Sequence, residues 1–154
     1  MYDPILVPVD GSDAAARAVE EAFDIARESG ATVHLLFVLD ESATALLFSS
    51  ESMGRRFERL RTEAEAFLAE LADDAAGVPV ETAVTRGMGV YRGIIDYAED
   101  VGIELIVMGS TGRHGPAGVL GSTTGRVAAN TDIPVMVLSE PKAAESADDG
   151  ADAP

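Results

Sequence analysis

Short, unbroken apolar runs alternate along this chain with longer segments whose apolar residues recur every three or four positions. Ile5 to Val9 is the first run, β-branched and apolar throughout, which predicts a buried strand. Asp10-Gly11-Ser12 ends it, and Ser12 is placed to cap a following helix. Ala15, Val19, Ala22, Ile25 and Ala26 then mark one helical face between Asp13 and Ser29, and Gly30 stands where a helix is closed. Thr32 to Leu39 predicts a second strand, and residues 40–52 a loop with at most a helical turn. A helix is predicted from Met53 to Ala76 on the stripe Phe57, Leu60, Ala64, Phe67, Leu68 and Leu71, with Gly77 closing it. Val80 to Thr85 predicts a third strand, Arg86 to Gly89 a turn, and Val90 to Val101 a helix. Glu104 to Met108 is the fourth strand, Gly109 to Gly121 a glycine-rich loop, Ser122 to Asn130 the last helix, and Pro134 to Leu138 the fifth strand.

Strands and helices thus alternate strictly. Each strand reads as continuously apolar, as expected of a parallel sheet covered on both faces. Right-handed crossovers turn that order into a doubly wound α/β sandwich. The 154 residues fit one domain, expected over residues 1–138, with no internal repeat. From Ser139 onward no large apolar residue remains, so residues 139–154 are expected to form an acidic disordered tail.

Composition narrows the class. No window holds 18 uninterrupted apolar residues, the start lacks the features of a signal peptide, and there is no cysteine for a disulfide or thiolate metal site. A soluble cytoplasmic protein is the expectation. The 27 acidic residues outnumber 11 basic ones, for a net charge of −16. Such a field repels nucleic acid and anionic membrane, which excludes both as direct partners. Lys142 is the single lysine. Acid excess and lysine scarcity together point to a halophilic protein, adapted to a salt-rich cytoplasm where screening suppresses self-repulsion.

Ligands of open parallel sheets bind beyond the carboxyl ends of the strands, where strand order reverses. Two strand ends carry suitable chemistry: Asp10-Gly11-Ser12 after the first, and Gly109 to Gly115 leading to Gly121-Ser122-Thr123-Thr124 after the fourth. Glycines admit an anion close to backbone N–H groups, and a helix start adds partial positive charge. Ser122 and Thr123 add hydroxyl donors, Arg113 a full charge, and Asp10 an acceptor for a sugar hydroxyl or a divalent cation. The segment lacks the lysine of a P-loop.

Val7-Pro8-Val9-Asp10-Gly11-Ser12, Val33 to Val38, Glu104 to Gly109 and Ile133 to Leu138 resemble successive core segments of universal stress proteins. Gly109-x-x-Gly112, followed by Gly121-Ser122, is similar to that family's nucleotide signature. Eight residues, Arg113 to Leu120, separate the second and third glycines, one fewer than is usual in the ATP-binding branch. The resemblance implies a five-stranded sheet in the order 3-2-1-4-5 and a site for ATP or another adenine nucleotide, with Mg²⁺ or Mn²⁺. It implies that Asp10 contacts the ribose, Val38 the adenine, and Gly109, Gly112, Gly121, Ser122 and Thr123 the phosphates. Pro8, Val9 and Gly11 then shape the first loop. It further implies a homodimer paired through Val135 to Leu138. The role expected is a nucleotide-binding stress-response module. A slow ATPase or autophosphorylating enzyme using Ser122 or Thr123 is the alternative, as is a nucleotide-free interaction protein with a closed pocket.

Other residues are read as structural. His34 lies among apolar neighbours and is expected to be a satisfied core or crevice-edge histidine; Met88 and Met108 are expected to pack, either of them able to line a base pocket; His114 is a loop histidine within the candidate site. Arg55, Arg56, Arg59 and Arg61 are expected to form a solvated helix face with Glu58, Glu63 and Glu65. The charge balance also makes a prediction. Melting followed by circular dichroism should rise steeply from low salt to molar KCl, and an unchanged melting temperature would contradict the halophilic reading.

Overall fold

Five strands form one parallel sheet in the order β3-β2-β1-β4-β5 in a computed structural model that describes residues 1–41, 50–110 and 120–139. The elements are β1 (Ile5–Pro8), α1 (Asp13–Ser29), β2 (Val33–Asp40), α2 (Ser50–Asp73), β3 (Val80–Gly87), α3 (Val90–Val101), β4 (Leu105–Gly109), α4 (Ser122–Asn130) and β5 (Val135–Leu138). The expected doubly wound α/β fold and strand order are both present.

Side chains of the central strands alternate between two cores. Ile5 and Val7 of β1 and Leu105 and Val107 of β4 face α1 and α2, meeting Val19, Ala22, Phe23 and Leu68. Leu6, Ile106 and Met108 face the other way, against Ile94, Ile95 and Ala98 of α3 and Val127 of α4. Burial of each such side chain contributes about 1.5–3 kcal/mol, so the sheet centre is the anchor of the fold.

Caps set the helix ends where the sequence placed them. The Ser12 hydroxyl accepts from the Ala15 N–H at 3.1 Å, and Gly30, at φ 78°, donates its N–H to the Ala26 carbonyl at 2.7 Å. The second helix departs from expectation at both ends. It begins at Ser50, so residues 50–52 are helical rather than loop, and it ends at Asp73 rather than Ala76. Asp74 and Ala75 instead donate to Leu71 and Ala72 in tightening turns, because Gly77 takes φ 80° and Pro79 bars further helix.

The third strand also departs. It runs on to Gly87, through residues read as a turn, and its burial is mixed rather than continuous. It is an edge strand with α2 and α3 only partly over it, so exposed Glu81, Thr82 and Arg86 are tolerated and discourage further pairing on that side. Arg61 of α2 is half-buried and reaches across to donate to the Val84 carbonyl at 3.2 Å. Arg86 pairs with Glu41 and lies 4.4 Å from the Phe57 ring centre. The expected tail beyond Ser139 lies outside the described residues.

At the end of β4 a glycine is required by packing. A Cβ on Gly109 would stand 2.6 Å from both the carbonyl carbon and the Cβ of Ala14, so α1 and the end of β4 can touch only without a side chain there. Gly125 in α4 has no such neighbour; its nearest would be Leu120 Cδ2 at 3.7 Å. Urea denaturation should therefore separate the two. Gly109→Ala is expected to lose about 3 kcal/mol through overpacking, whereas Gly125→Ala gains about 0.5–1 kcal/mol in helix propensity. Equal effects would contradict the close contact.

Candidate functional site

The chain leaves β1 outward through β2 and β3, then returns to lay β4 against the other side of β1, in register Ile5↔Leu105 and Leu6↔Ile106. This reversal opens a cleft of about 330 Å³ at the carboxyl ends of the strands. Its size falls within the range of small-molecule sites, roughly 300–1,000 Å³.

Three walls can be distinguished. The first loop supplies Pro8, Val9, Asp10 and Ser12. Here Gly11, at φ 86°, turns the chain, and one Asp10 carboxylate oxygen accepts from the Ser12 N–H at 2.9 Å. The carboxylate itself is exposed at the cleft. The second wall is apolar: Leu36 and Val38 of β2 with Val90 and Ile94 of α3. The third joins Met108 and Gly109 to Gly121, Ser122, Thr123 and Thr124 at the start of α4.

Three helix starts thus border this cleft: that of α3, at Val90, also lacks a side-chain cap and an acidic first turn but is tied to Asp40 through the Gly89 N–H, and those of α1 and α4 differ electrostatically. The start of α1 is capped by Ser12 and carries Asp13 in its first turn. The start of α4 has Gly121 as its cap residue, no side-chain cap and no acidic residue in its first turn. Its first intrahelical bond runs from the Gly125 N–H to the Gly121 carbonyl at 2.9 Å, so the amides of Ser122, Thr123 and Thr124 precede the hydrogen-bonded ladder. Those groups give the third wall its partial positive charge. The Thr124 hydroxyl fixes the helix in place by donating to the Gly109 carbonyl at 2.8 Å.

Two buried hydroxyls near the strand ends, Ser110 Oγ and Thr85 Oγ1, have no hydrogen-bond partner among the described residues. Ser110 is otherwise well tied, its N–H donating to the Leu138 carbonyl at 2.7 Å and its carbonyl accepting from Gly121.

Of the residues singled out in the sequence, Pro8, Val9, Asp10, Val38, Gly109, Gly121, Ser122 and Thr123 line this one cleft. Gly11 shapes the loop without lining it, and Gly112, Arg113 and His114 lie outside the described residues. Val90 and Ile94 were missed, and Thr124 was named only as part of the helix start, without a role. A residue's position in a helix's first turn is the signal that finds Val90 and Thr124, whereas Ile94 depends on how α3 docks. Met108 packs as expected and also lines the cleft, but Met88 does not pack: it is 65% exposed on the β3–α3 turn, which offers no core to receive it.

His34 sits near the amino end of β2, away from the cleft. It is buried, and its Nδ1 meets the Tyr97 hydroxyl at 2.8 Å, as expected for a satisfied core histidine. Burial, and secondarily the Glu81 carboxylate, push the Tyr97 phenol above its ordinary value. Among the described residues, no group of three or more His, Asp or Glu is placed to hold a metal, and no helix is long and apolar enough to cross a membrane.

A model of the universal stress protein family matches residues 1–139. The chain belongs to that family. A universal stress protein of Methanocaldococcus jannaschii is 34% identical over 145 residues, which span 92% of this chain and 85% of that one. A solved structure of another universal stress protein from that archaeon superposes with a TM-score of 0.80 at 28% identity, covering 90% of this chain and 96% of its own. A universal stress protein solved in complex with cAMP superposes with a TM-score of 0.63 at 25% identity, covering 91% and 98%. Among universal stress proteins, then, this chain shares its fold with a member that holds a nucleotide.

Proposed function

We propose that this universal stress protein is a homodimeric stress-response module that binds an adenine nucleotide, ATP with Mg²⁺ or Mn²⁺, in the cleft between β1 and β4. The observation that carries the reading is the uncapped, acid-free start of α4 facing an apolar pocket. One wall of the cleft suits an anion, another a flat base, and the first loop adds a carboxylate. Amides and hydroxyls of Ser122 and Thr123 would hold phosphates. Val38, Val90 and Ile94 would sandwich the base, and Asp10 would accept from the ribose hydroxyls or assist the cation. The relative solved with cAMP supports an adenine nucleotide as the ligand class.

Binding is favoured over turnover because Asp10 is the one ionisable side chain lining the cleft among the described residues. Phosphoryl transfer requires groups that position a nucleophile and neutralise developing charge. Dimerisation is supported by the contrast between the sheet's two edges. The β3 edge displays Glu81 and Arg86, while β5 is short and apolar, with Val137 39% exposed. A two-fold pairing of β5 with its copy would cover that edge.

The nucleotide reading is tested by calorimetry with ATP and Mg²⁺ in molar KCl, using the wild type and Ser122→Glu. The wild type should bind about one ATP per chain, and the variant about 100-fold more weakly, because a fixed carboxylate then occupies the anion end. An acidic residue in a first helical turn favours the helix, so the variant should melt no lower than the wild type. Equal affinity in both proteins would contradict the site. For the assembly, sedimentation in molar KCl should give a dimer at micromolar concentration and a monomer for Val137→Lys. A monomeric wild type would contradict β5 pairing.

A further inference from the structure

We infer that Gly93 is a positioning residue for the base end of the cleft, acting through Val38: its missing side chain sets how closely α3 stands against β2. This rests on the nucleotide reading above. A Cβ on Gly93 would lie 2.9 Å from Val38 Cγ1, 3.4 Å from Cγ2 and 3.7 Å from Cβ. Val38 is buried and lines the cleft, as do Val90 and Ile94, the α3 residues three before and one after Gly93. Backbone of α3 therefore rests directly on the two Val38 methyls within the apolar wall of the cleft.

Two further features draw the helix down at this point. Gly89, at φ 106°, donates its N–H to Asp40 Oδ1 at 3.1 Å, tying the start of α3 to the end of β2. At Gly87 a Cβ would be 3.7 Å from the Gly89 carbonyl oxygen and 4.0 Å from the Gly93 Cα, so the end of β3 also approaches α3 backbone to backbone. Glycine within a helix is unfavourable relative to alanine, and close packing of this kind offsets it at Gly93.

The contact is stiff. Valine has few χ1 choices, and both Val38 methyls lie toward Gly93, so a methyl added there is relieved only by an unfavourable rotamer or by movement of the backbone. Outward movement of the helix carries Val90 and Ile94 away from Val38 and breaks up the continuous apolar wall that a flat base would lie against. The α3 and α4 helices share a core through Ile94, Ile95 and Val127, but the first turn of α4 is seated separately, by the Thr124 hydroxyl on the Gly109 carbonyl, and that tie holds the anion end. Gly93 thus governs affinity for the base and not for the phosphates.

The test is a double-mutant cycle of Gly93→Ala and Val38→Ala, with calorimetry against ATP and against inorganic tripolyphosphate, each with Mg²⁺ in molar KCl. Gly93→Ala should weaken ATP binding about tenfold and leave tripolyphosphate binding unchanged. The double variant should bind ATP within about twofold of Val38→Ala, because the clash is gone. ATP affinity unchanged in Gly93→Ala, a parallel loss of tripolyphosphate, or losses that simply add in the double variant would each overturn the inference. Should Gly93→Ala alone not fold, restored folding in the double variant with the affinity of Val38→Ala supports the contact, and persistent misfolding overturns it. A wild type that binds no ATP sinks the nucleotide reading and this inference with it. Normal wild-type binding with an indifferent Gly93→Ala sinks this inference alone.

Discussion

The end of β4 is where two helices on opposite faces of the sheet are fixed relative to each other. On one face Ala14 of α1 presses against Gly109, at a distance that excludes any side chain. Toward α4, the Gly109 carbonyl accepts the Thr124 hydroxyl, which seats that helix's first turn. Because α1 follows directly from the Asp10 loop, this one residue ties the first loop to the anion-attracting start of α4. The cleft is a consequence of that double seating and of the reversal of strand order between β1 and β4.

Charge acts here on two scales. The whole chain carries −16, which over long distances opposes any polyphosphate. Salt suppresses that term, with a screening length of about 8 Å at physiological ionic strength and about 3 Å at 1 M. The partial charge at the start of α4 acts within the first turn, at contact with a bound anion, where screening has little room to operate. An acidic protein in concentrated salt can therefore hold an anion that its net charge would otherwise repel.

Much of this was legible in the chain itself. Ser12, Gly30 and Gly89 punctuate the elements they bound, so both ends of α1 and the start of α3 could be read directly. The order 3-2-1-4-5 came from resemblance, since alternation of strands and helices alone does not choose among doubly wound orders. The nature of β3 was not legible, because whether a strand is central or an edge is decided by the sheet and not by the strand. That Asp10 and Gly121 to Thr123 border one cleft was readable from the strand ends, whereas Val38 came from the resemblance. The contact of Gly93 with Val38, 55 positions apart in the sequence, was not, because helix-to-strand spacing is a tertiary property. Gly109 was read as making room for an anion, and packing gives it a second reason: it makes room for α1.

The central claim is that the base lies against Val38 and the phosphates against the first turn of α4. The most direct measurement is a titration of isotope-labelled wild-type protein with ATP and Mg²⁺ in molar KCl, followed by backbone amide chemical shifts. The account predicts saturable shifts concentrated at Val38, Val90, Ser122 and Thr123, with those of Phe23 and Leu71 on the α1–α2 side unmoved. Shifts centred on that other face, or no saturable shift at all, would contradict it.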